Sequence, residues 1–253
     1  MMTRTVLITG ANGLIGSQVR KALAHRYELR LLARRPIEGV EATVADIAQF
    51  EAIRPAFEGV DSVIHLAASA AVQSPWDAVL HNNIIGTYNV FEAARQAGVK
   101  QVIFASSNHA VGTYEMLYQS DPDQPTSRII DHLVPVAPDS LYGVSKVFGE
   151  ALGRYYADHH GLRVICLRIG WINAQDAPEG KPFAADTTMW QSMRDFVHMV
   201  ERCLEAETIR FDIFYGVSDN PHRLFDLEHA RQVLGYQPRD NAIERLRERG
   251  RLE

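Results

Sequence analysis

The segment nearest the start of the chain constrains its fold more than anything that follows. Thr5-Val-Leu-Ile-Thr-Gly-Ala-Asn-Gly-Leu-Ile-Gly16 reads as an apolar strand, a Gly-x-x-Gly-x-x-Gly turn and the opening of a helix. A strand that turns tightly into a helix is the first half of a βαβ unit, so a parallel sheet covered by helices is expected. Glycines let backbone N–H groups approach an anion closely, and the helix N-terminus adds a favourable dipole. Gly10, Asn12, Gly13, Leu14, Ile15 and Gly16 are therefore expected around the pyrophosphate of a dinucleotide. A tight βα turn with no ligand is the plainer alternative.

The first 170 residues keep that rhythm. Strands are expected at Thr5–Thr9, Glu28–Leu32, Thr43–Ala45, Ser62–Leu66, Gln101–Ala105 and Arg163–Ile169. They are mostly continuous apolar runs, as strands covered on both faces should be. Helices are expected at Leu14–Ala24, Ile47–Phe57, Trp76–Ala97 and Leu141–His160, the third ending on the C-terminal signal of Gly98. Thr113–Ser140, with Pro122, Pro125, Pro135 and Pro138, reads as a long irregular loop of the kind that carries function. Beyond Gly170 the alternation weakens, leaving a helix near Trp190–Ala206, a strand Ile209–Tyr215 and a helix near Asp226–Leu234. The reading is an α/β, doubly wound Rossmann-type sheet. Residues 1–170 form the dinucleotide-binding core and 171–253 a small C-terminal substrate lobe of the same compact unit.

Composition narrows the function. With 253 residues and 46% hydrophobic content the chain can bury a full core. A net charge of −5 with scattered basic residues points away from nucleic acid. Cys166 and Cys203 lack the spacing of a metal site or a disulfide framework, so no metal is expected, and a reducing compartment, the cytoplasm, is. Met1–Thr5 leads straight into a strand without a leader, and no apolar run is long enough to span a membrane.

Tyr142 and Lys146 are the only Tyr and Lys in the sequence with Lys four residues after Tyr. That spacing puts both on one helix face. A free phenol is a poor base at neutral pH, and an ammonium held near it favours the phenolate. A surface helix pair is the alternative. Ser106 and Ser107 end the strand that starts at Gln101, and in an open parallel sheet ligands gather at strand carboxyl ends. A hydroxyl there can bond a substrate oxygen that gains charge. Asn108 and His109 follow. His109 is balanced between a structural histidine and a substrate contact. Asp46 could bond an adenine amino group or cap the helix after it.

In this order, the glycine turn, the strand-end Ser-Ser and the Tyr-x-x-x-Lys pair resemble the extended short-chain dehydrogenases. His81-Asn-Asn-Ile-Ile-Gly-Thr-Tyr-Asn-Val-Phe-Glu-Ala-Ala-Arg95, Phe104-Ala-Ser-Ser-Asn-His-Ala-Val-Gly112 and Leu141-Tyr-Gly-Val-Ser-Lys-Val-Phe-Gly-Glu150 narrow the likeness. They resemble the uronate dehydrogenases and, more closely, the archaeal NAD-dependent glucose-6-phosphate dehydrogenases. Arg168-Ile-Gly170 and Tyr215-Gly-Val-Ser-Asp-Asn220 fit the same group. The resemblance implies oxidation of a small cyclic sugar (aldose, aldose phosphate or uronate) at C1 to a lactone, with NAD(P) as hydride acceptor. It makes Tyr142 the general base, Lys146 the group that lowers its pKa and holds the nicotinamide ribose, and Ser107 the group that orients the reacting hydroxyl. Asn83 would sit near the cofactor, and Ile47, Leu66, Ala67, Ala68 and Ile169 complete the expected cofactor contacts. Ser69, Asn108, His109 and Trp171 would contact the sugar. Helices near Asn83–Ala97 and Leu141–His160 resemble those that pair subunits, so a homo-oligomer, a dimer or higher, is expected.

Three positions depart from the group's pattern. Ala184-Ala-Asp-Thr-Thr-Met-Trp190 lacks the arginine that uronate dehydrogenases place before this tryptophan to hold the substrate carboxylate. Trp171 stands where they have a small residue. Leu31-Leu-Ala-Arg-Arg35 lacks the acidic residue that an NAD-selective site places after its second strand. The first two point away from a uronate. The third, with Arg34 and Arg35 beside it, favours NADP over NAD. Lys181 and Arg128 are candidate replacements for the missing cation, and solvated loop residues otherwise. Two other classes remain open, a nucleotide-sugar epimerase or reductase and a non-catalytic dinucleotide sensor. The short C-terminal segment disfavours the first, and retention of Ser107, Tyr142 and Lys146 together disfavours the second.

Overall fold

A computed structural model of the chain describes residues 4–118, 123–126 and 128–252. Met1 and Pro122, both used in the sequence reading, lie outside the described residues. The strands are β1 (Thr5–Thr9), β2 (Glu28–Ala33), β3 (Thr43–Val44), β4 (Ser62–His65), β5 (Gln101–Ser107), β6 (Arg163–Ile169) and β7 (Phe211–Gly216). They form one sheet in the order β3-β2-β1-β4-β5-β6-β7, and every pair is parallel. The strand order reverses between β1 and β4, so the crevice above their carboxyl ends is the natural place for a ligand.

The helices are α1 (Leu14–Leu23), α2 (Phe50–Ile53), α3 (Trp76–Ala78), α4 (Gly86–Gln96), α5 (Gly112–Tyr118), α6 (Leu141–His160), α7 (Ala185–Thr188), α8 (Met193–Glu205), α9 (Glu228–Leu234) and α10 (Ala242–Glu248). They cover both faces, and the strands alternate accordingly. Val6 and Ile8 of β1, with Ile165 and Leu167 of β6, pack in one core with Val19 of α1 and Phe196 and Met199 of α8. Leu7, Val102, Phe104, Val164 and Cys166 point the other way and pack with Val90 and Phe91 of α4 and Tyr156 of α6. Side chains of a strand alternate between faces, so a two-faced apolar strand feeds two cores at once.

Several boundaries differ from the sequence expectation. The helix expected over Ile47–Phe57 begins at Phe50 and tightens into a 3-10 turn at Arg54–Phe57. Pro55 cannot donate a backbone hydrogen bond, which is why the α-helix gives way there. The path expected as one helix over Trp76–Ala97 is α3, a π-helical stretch Val79–Ile85 and α4. It ends, as expected, before a left-handed Gly98, with φ +73°. The segment expected to be irregular over Thr113–Ser140 carries most of α5. Helices α7 and α10 have no counterpart in the sequence reading. β7 pairs with β6 along Val164–Ile169, so part of the C-terminal segment completes the main sheet.

Candidate active site

Two adjoining cavities lie above the strand carboxyl ends. One, of about 520 Å3, is lined by Gly10, Asn12, Gly13, Arg34, Arg35, Asp46, Ile47, Leu66, Ala67, Ala68 and Ser69, with Ala33, Ala70 and Asn82 among its other walls. The second, of about 320 Å3, is lined by Leu14, Ile15, Gly16, Ser107, Tyr142, Lys146 and Ile169, with Gly170 and Ile172 beside them. Gly10, Gly13, Leu66, Ala68 and Ala70 wall both, which makes them one groove. Another cavity, of about 640 Å3 between α1 and α8, includes none of the expected site residues.

The glycine turn is shaped by close contact. Gly10 is left-handed, with φ +69°, and a Cβ there would meet the Ala67 nitrogen at 2.8 Å. A Cβ on Gly16 would meet the Gly10 carbonyl oxygen at 2.3 Å. The turn thus needs hydrogen at both positions. Gly13 caps α1 with no side-chain hydrogen bond to the helix N–H groups. An uncapped helix N-terminus over a groove is a ready site for a phosphate. These residues fit a dinucleotide: Gly10–Gly16 would hold its pyrophosphate, and Ala33–Arg35 and Asp46 would stand at its adenosine end.

Underneath, Thr9 Oγ1 accepts from the Ala67 nitrogen at 3.2 Å and shares a hydrogen bond of 2.8 Å with His65 Nδ1. His65 Nε2 then faces Thr87 Oγ1 at 3.3 Å. Burial, and secondarily Lys146, holds the His65 pKa down to about 3, so the ring is neutral. Its two bonds fix the turn after β4 where the strand order reverses. Nothing in the sequence reading singled out His65, because its role depends on partners from β1 and α4.

Ser107 ends β5 opposite Ile169 of β6. Its hydroxyl donates to Asn108 Oδ1 at 3.2 Å and accepts from the His109 backbone nitrogen at 3.3 Å. The neighbouring Ser106 donates to Glu150 Oε1 at 2.6 Å. Both serines wall the second cavity, but the Ser106 hydroxyl is committed to Glu150. Tyr142 and Lys146 are both buried on α6. Burial pushes the Tyr142 phenol up from its ordinary pKa, and a hydrogen bond with Ser107 acts in the opposite direction. Lys146 Nζ donates to the Ala105 carbonyl at 2.7 Å and stands 5.3 Å from the Tyr142 ring centre. Burial lowers its pKa to about 8, against the pull of Glu150.

The remaining expected residues divide. Asn83 is buried and lines neither cavity. Its amide accepts from the Ser69 nitrogen at 2.7 Å and donates to the Ser69 carbonyl at 3.0 Å and to Ser145 Oγ at 2.9 Å. It ties the Ser69 loop to α6, and Asn82 is the neighbour that reaches the groove. Of the two readings of Asp46, the structure does not make it the cap of α2: its carboxylate accepts from the Ala48 nitrogen at 2.9 Å, ahead of a helix whose first flanking residue is Gln49. Its other oxygen faces His81 Nε2 at 3.3 Å. Asn108 is buried against Glu115 and Met189, and His109 pairs with Asp139 at 2.7 Å. Trp171 is 45% exposed beside Gly170. Lys181 pairs with Asp123, and Arg128 stacks over Tyr118, so neither lines the groove.

Residues 6–203 match the NAD dependent epimerase/dehydratase family. The chain is 42% identical to the NAD-dependent glucose-6-phosphate dehydrogenase of Haloferax volcanii, over 96% of each chain. It is 38% identical to that organism's L-arabinose 1-dehydrogenase (NAD(P)(+)), over 94% of this chain and 97% of the relative. A crystal structure of a mutant uronate dehydrogenase from Agrobacterium tumefaciens complexed with NAD superposes with a TM-score of 0.84 at 33% identity, covering 97% of this chain and 88% of that one. With its sequence matched over most of its length and the glycine turn open to a dinucleotide, this chain belongs to the NAD-dependent epimerase/dehydratase family.

Proposed function

We propose that this chain is an oxidoreductase that oxidises a small cyclic sugar at C1 to a lactone, using NAD(P). The observation that carries the reading is the convergence of Ser107, Tyr142 and Lys146 on a cavity continuous with the glycine turn. Two relatives matched along nearly the whole chain, the glucose-6-phosphate and L-arabinose dehydrogenases of Haloferax volcanii, are named as sugar dehydrogenases, which supports the reading. Residues 1–170 serve as the dinucleotide core and 171–253 as the substrate lobe of the same unit.

Bound in the groove, the oxidised dinucleotide supplies a hydride acceptor. Tyr142, as phenolate, takes the proton of the C1 hydroxyl as the hydride leaves carbon. Ser107 orients that hydroxyl. Lys146, charged below about pH 8, favours the phenolate against the burial that opposes it. Asn108 and His109, next to Ser107 though outside the lining of both cavities, are the proposed sugar contacts. Arg168 is committed to Glu150, and Lys181 and Arg128 are engaged elsewhere, so none of these three cations serves as a clamp for a hexuronate carboxylate.

NADP is used at least as well as NAD in this reading. Ala33 is buried at the end of β2, where an acidic residue would reject a 2′-phosphate, and Arg34 and Arg35 wall the same cavity. Neither arginine forms an ion pair among the described residues. Glu38 and Glu41 do not line that cavity, and Glu41 opens onto a different one. One experiment tests substrate and cofactor together: initial rates of reduced-cofactor formation with neutral aldoses, aldose phosphates and uronates, each with NAD and NADP. Uronates should be poor substrates, and Ala33→Asp should shift kcat/KM toward NAD. Oxidation of no sugar in the panel would overturn the function. Strict NAD selectivity, with Arg34→Ala and Arg35→Ala silent, would overturn the cofactor assignment.

The partner expected from the sequence is a second copy of the chain. Ile85, Tyr88, Leu141, Val144 and Tyr155 are each 39–50% exposed along the π-helical stretch, α4 and α6. Apolar patches of this kind mark interaction surfaces. Light scattering should show a dimer or higher, and Val144→Glu should weaken it. A wild-type monomer at micromolar concentration would count against the assignment. Cys166 and Cys203 are both unpaired and buried, which fits the cytoplasm as working compartment.

A further inference from the structure

The Asn108 side chain stands between Ser107 and a carboxylate, and the two ends of its amide are not interchangeable. Asn108 is buried. Its Nδ2 group faces Glu115 Oε2 at 3.4 Å and Met189 Sδ at 3.6 Å. A carboxylate and a thioether both accept hydrogen bonds and neither donates, so the NH2 end of the amide must lie on this side. The Oδ1 end is thereby turned to Ser107, whose hydroxyl donates to it at 3.2 Å. Glu115 comes from α5, whose start is braced by the segment that precedes α6. The Thr113 nitrogen donates to the Ala137 carbonyl at 3.0 Å, and the Ala137 nitrogen to the Ala110 carbonyl at 3.1 Å. Burial pushes the Glu115 carboxyl up from the usual range, while His109 and the Asn108 bond act the other way.

Ser107 has one proton, and Asn108 takes it. The Ser107 oxygen also accepts from the His109 nitrogen at 3.3 Å and shares a hydrogen bond with the Tyr142 phenol. With the Ser107 proton on the Asn108 side, the phenol is the donor in that bond and Ser107 the acceptor. A phenolate there would need Ser107 to donate. The serine would then have to give up Asn108, or two oxygens would face each other with no proton between them. The amide cannot turn round to relieve this, because its Oδ1 would then meet the Glu115 carboxylate. The charged groups around the phenol are Lys146 on the same helix, with Glu150 one turn on, and His109 with Asp139 across the end of β5. Glu115 stands behind Asn108, one further hydrogen bond from Ser107.

Resting on the assignment of Tyr142 as the base, we propose that Glu115 is a positioning residue that acts through Asn108: it fixes the direction of the Ser107 hydroxyl and holds Tyr142 as a phenol while the site is empty. A bound sugar changes the count of donors. Its C1 hydroxyl brings the proton that a phenolate accepts, so the base is favoured where there is a substrate to deprotonate and disfavoured where there is none.

The test is a titration of Tyr142 in the full chain without sugar or cofactor. Tyrosinate absorbance against pH is recorded for each variant, less that of the same variant carrying Tyr142→Phe. In Glu115→Leu the amide is free to turn, Nδ2 donates to Ser107, and Ser107 donates to the phenolate. The Tyr142 midpoint should fall by about one pH unit or more, about a tenfold rise in its ionisation constant, the size of one hydrogen bond to a charged group. Glu115→Gln keeps an acceptor oxygen for Asn108 and should stay close to wild type. Asn108→Ala removes the acceptor of the Ser107 proton and should lower the midpoint as Glu115→Leu does. An equal fall in the Gln and Leu variants would assign the effect to charge alone and overturn the proposal. An unmoved midpoint in Glu115→Leu or, should that variant not fold, in Asn108→Ala would overturn it as well. The titration needs no substrate, so failure of the wild type to oxidise any sugar would overturn the proposed function and not the positioning of Tyr142 by Glu115.

Discussion

Tyr142→Phe should lower kcat by about 10²–10⁴-fold, the range for losing a general base, while cofactor affinity stays nearly intact. The substitution removes one oxygen and keeps the ring. The ring packs edge-on against His109 and lies beside Lys146, so the local structure has little reason to move. The group lost is a phenol whose environment opposes its own ionisation. Burial raises its pKa, and only Ser107 works in the other direction. A phenol in that position becomes a base only with positive charge nearby, which Lys146 supplies below about pH 8. Lys146→Ala should therefore lower turnover as well. It should also weaken cofactor binding, since Lys146 lines the groove that would hold the nicotinamide end. Single-turnover rates and cofactor titration by fluorescence separate the two effects. Near-normal turnover in Tyr142→Phe, with chemistry limiting, would remove Tyr142 from the mechanism.

Most of the frame was legible because it is local. The strand, turn and helix of residues 5–16 carry their geometry in neighbouring residues, and Tyr142 and Lys146 declare a shared helix face by spacing alone. Features that depend on distant partners were not legible. The Ser106 and Ser107 pair reads as two equal hydroxyls until the register of β5 turns one toward Glu150. Asn83 reads as a cofactor neighbour until its amide is seen to tie the Ser69 loop to α6. Asp139 looks like a loop residue before Ser140, although its neighbour's role as an N-cap for the helix carrying Tyr142 is a signal that sequence offers. Helix α5 was missed because nearby prolines dominated the reading of its segment, and none of them lies within Gly112–Tyr118. Glu150 follows Lys146 by four residues, so the spacing rule that found the tyrosine and lysine would have extended one step further.

That step leads to the second large expected effect. Arg168→Met should destabilise the fold by about 3–5 kcal/mol, the range for breaking one partner out of a buried ion pair. Arg168 and Glu150 are 2% and 4% exposed, joined by two parallel bonds of 2.9 Å from Nε and Nη2. The Arg168 Nη1 group donates to Tyr215 Oη at 3.0 Å, and Tyr215 in turn donates to the Asp131 carbonyl at 3.1 Å. Burial works against the guanidinium charge, and the Glu150 carboxylate more than offsets it. Removing Arg168 would leave that carboxylate buried with, among the described residues, Ser106 as its remaining side-chain donor. A domain of ordinary stability, about 5–15 kcal/mol, loses a large fraction of its margin in such a change. The double variant Glu150→Met with Arg168→Met should recover most of the loss, because an apolar pair leaves no unpaired charge. It should not recover full activity, since Glu150 also supports the charge of Lys146 one helical turn away. Urea unfolding of the single and double variants, with kcat measured on each, separates the two roles. A single-variant cost below about 1 kcal/mol would place the pair with solvent-exposed ion pairs, and would mean that water reaches it in solution. Full activity in the double variant would show that Lys146 holds its proton without Glu150.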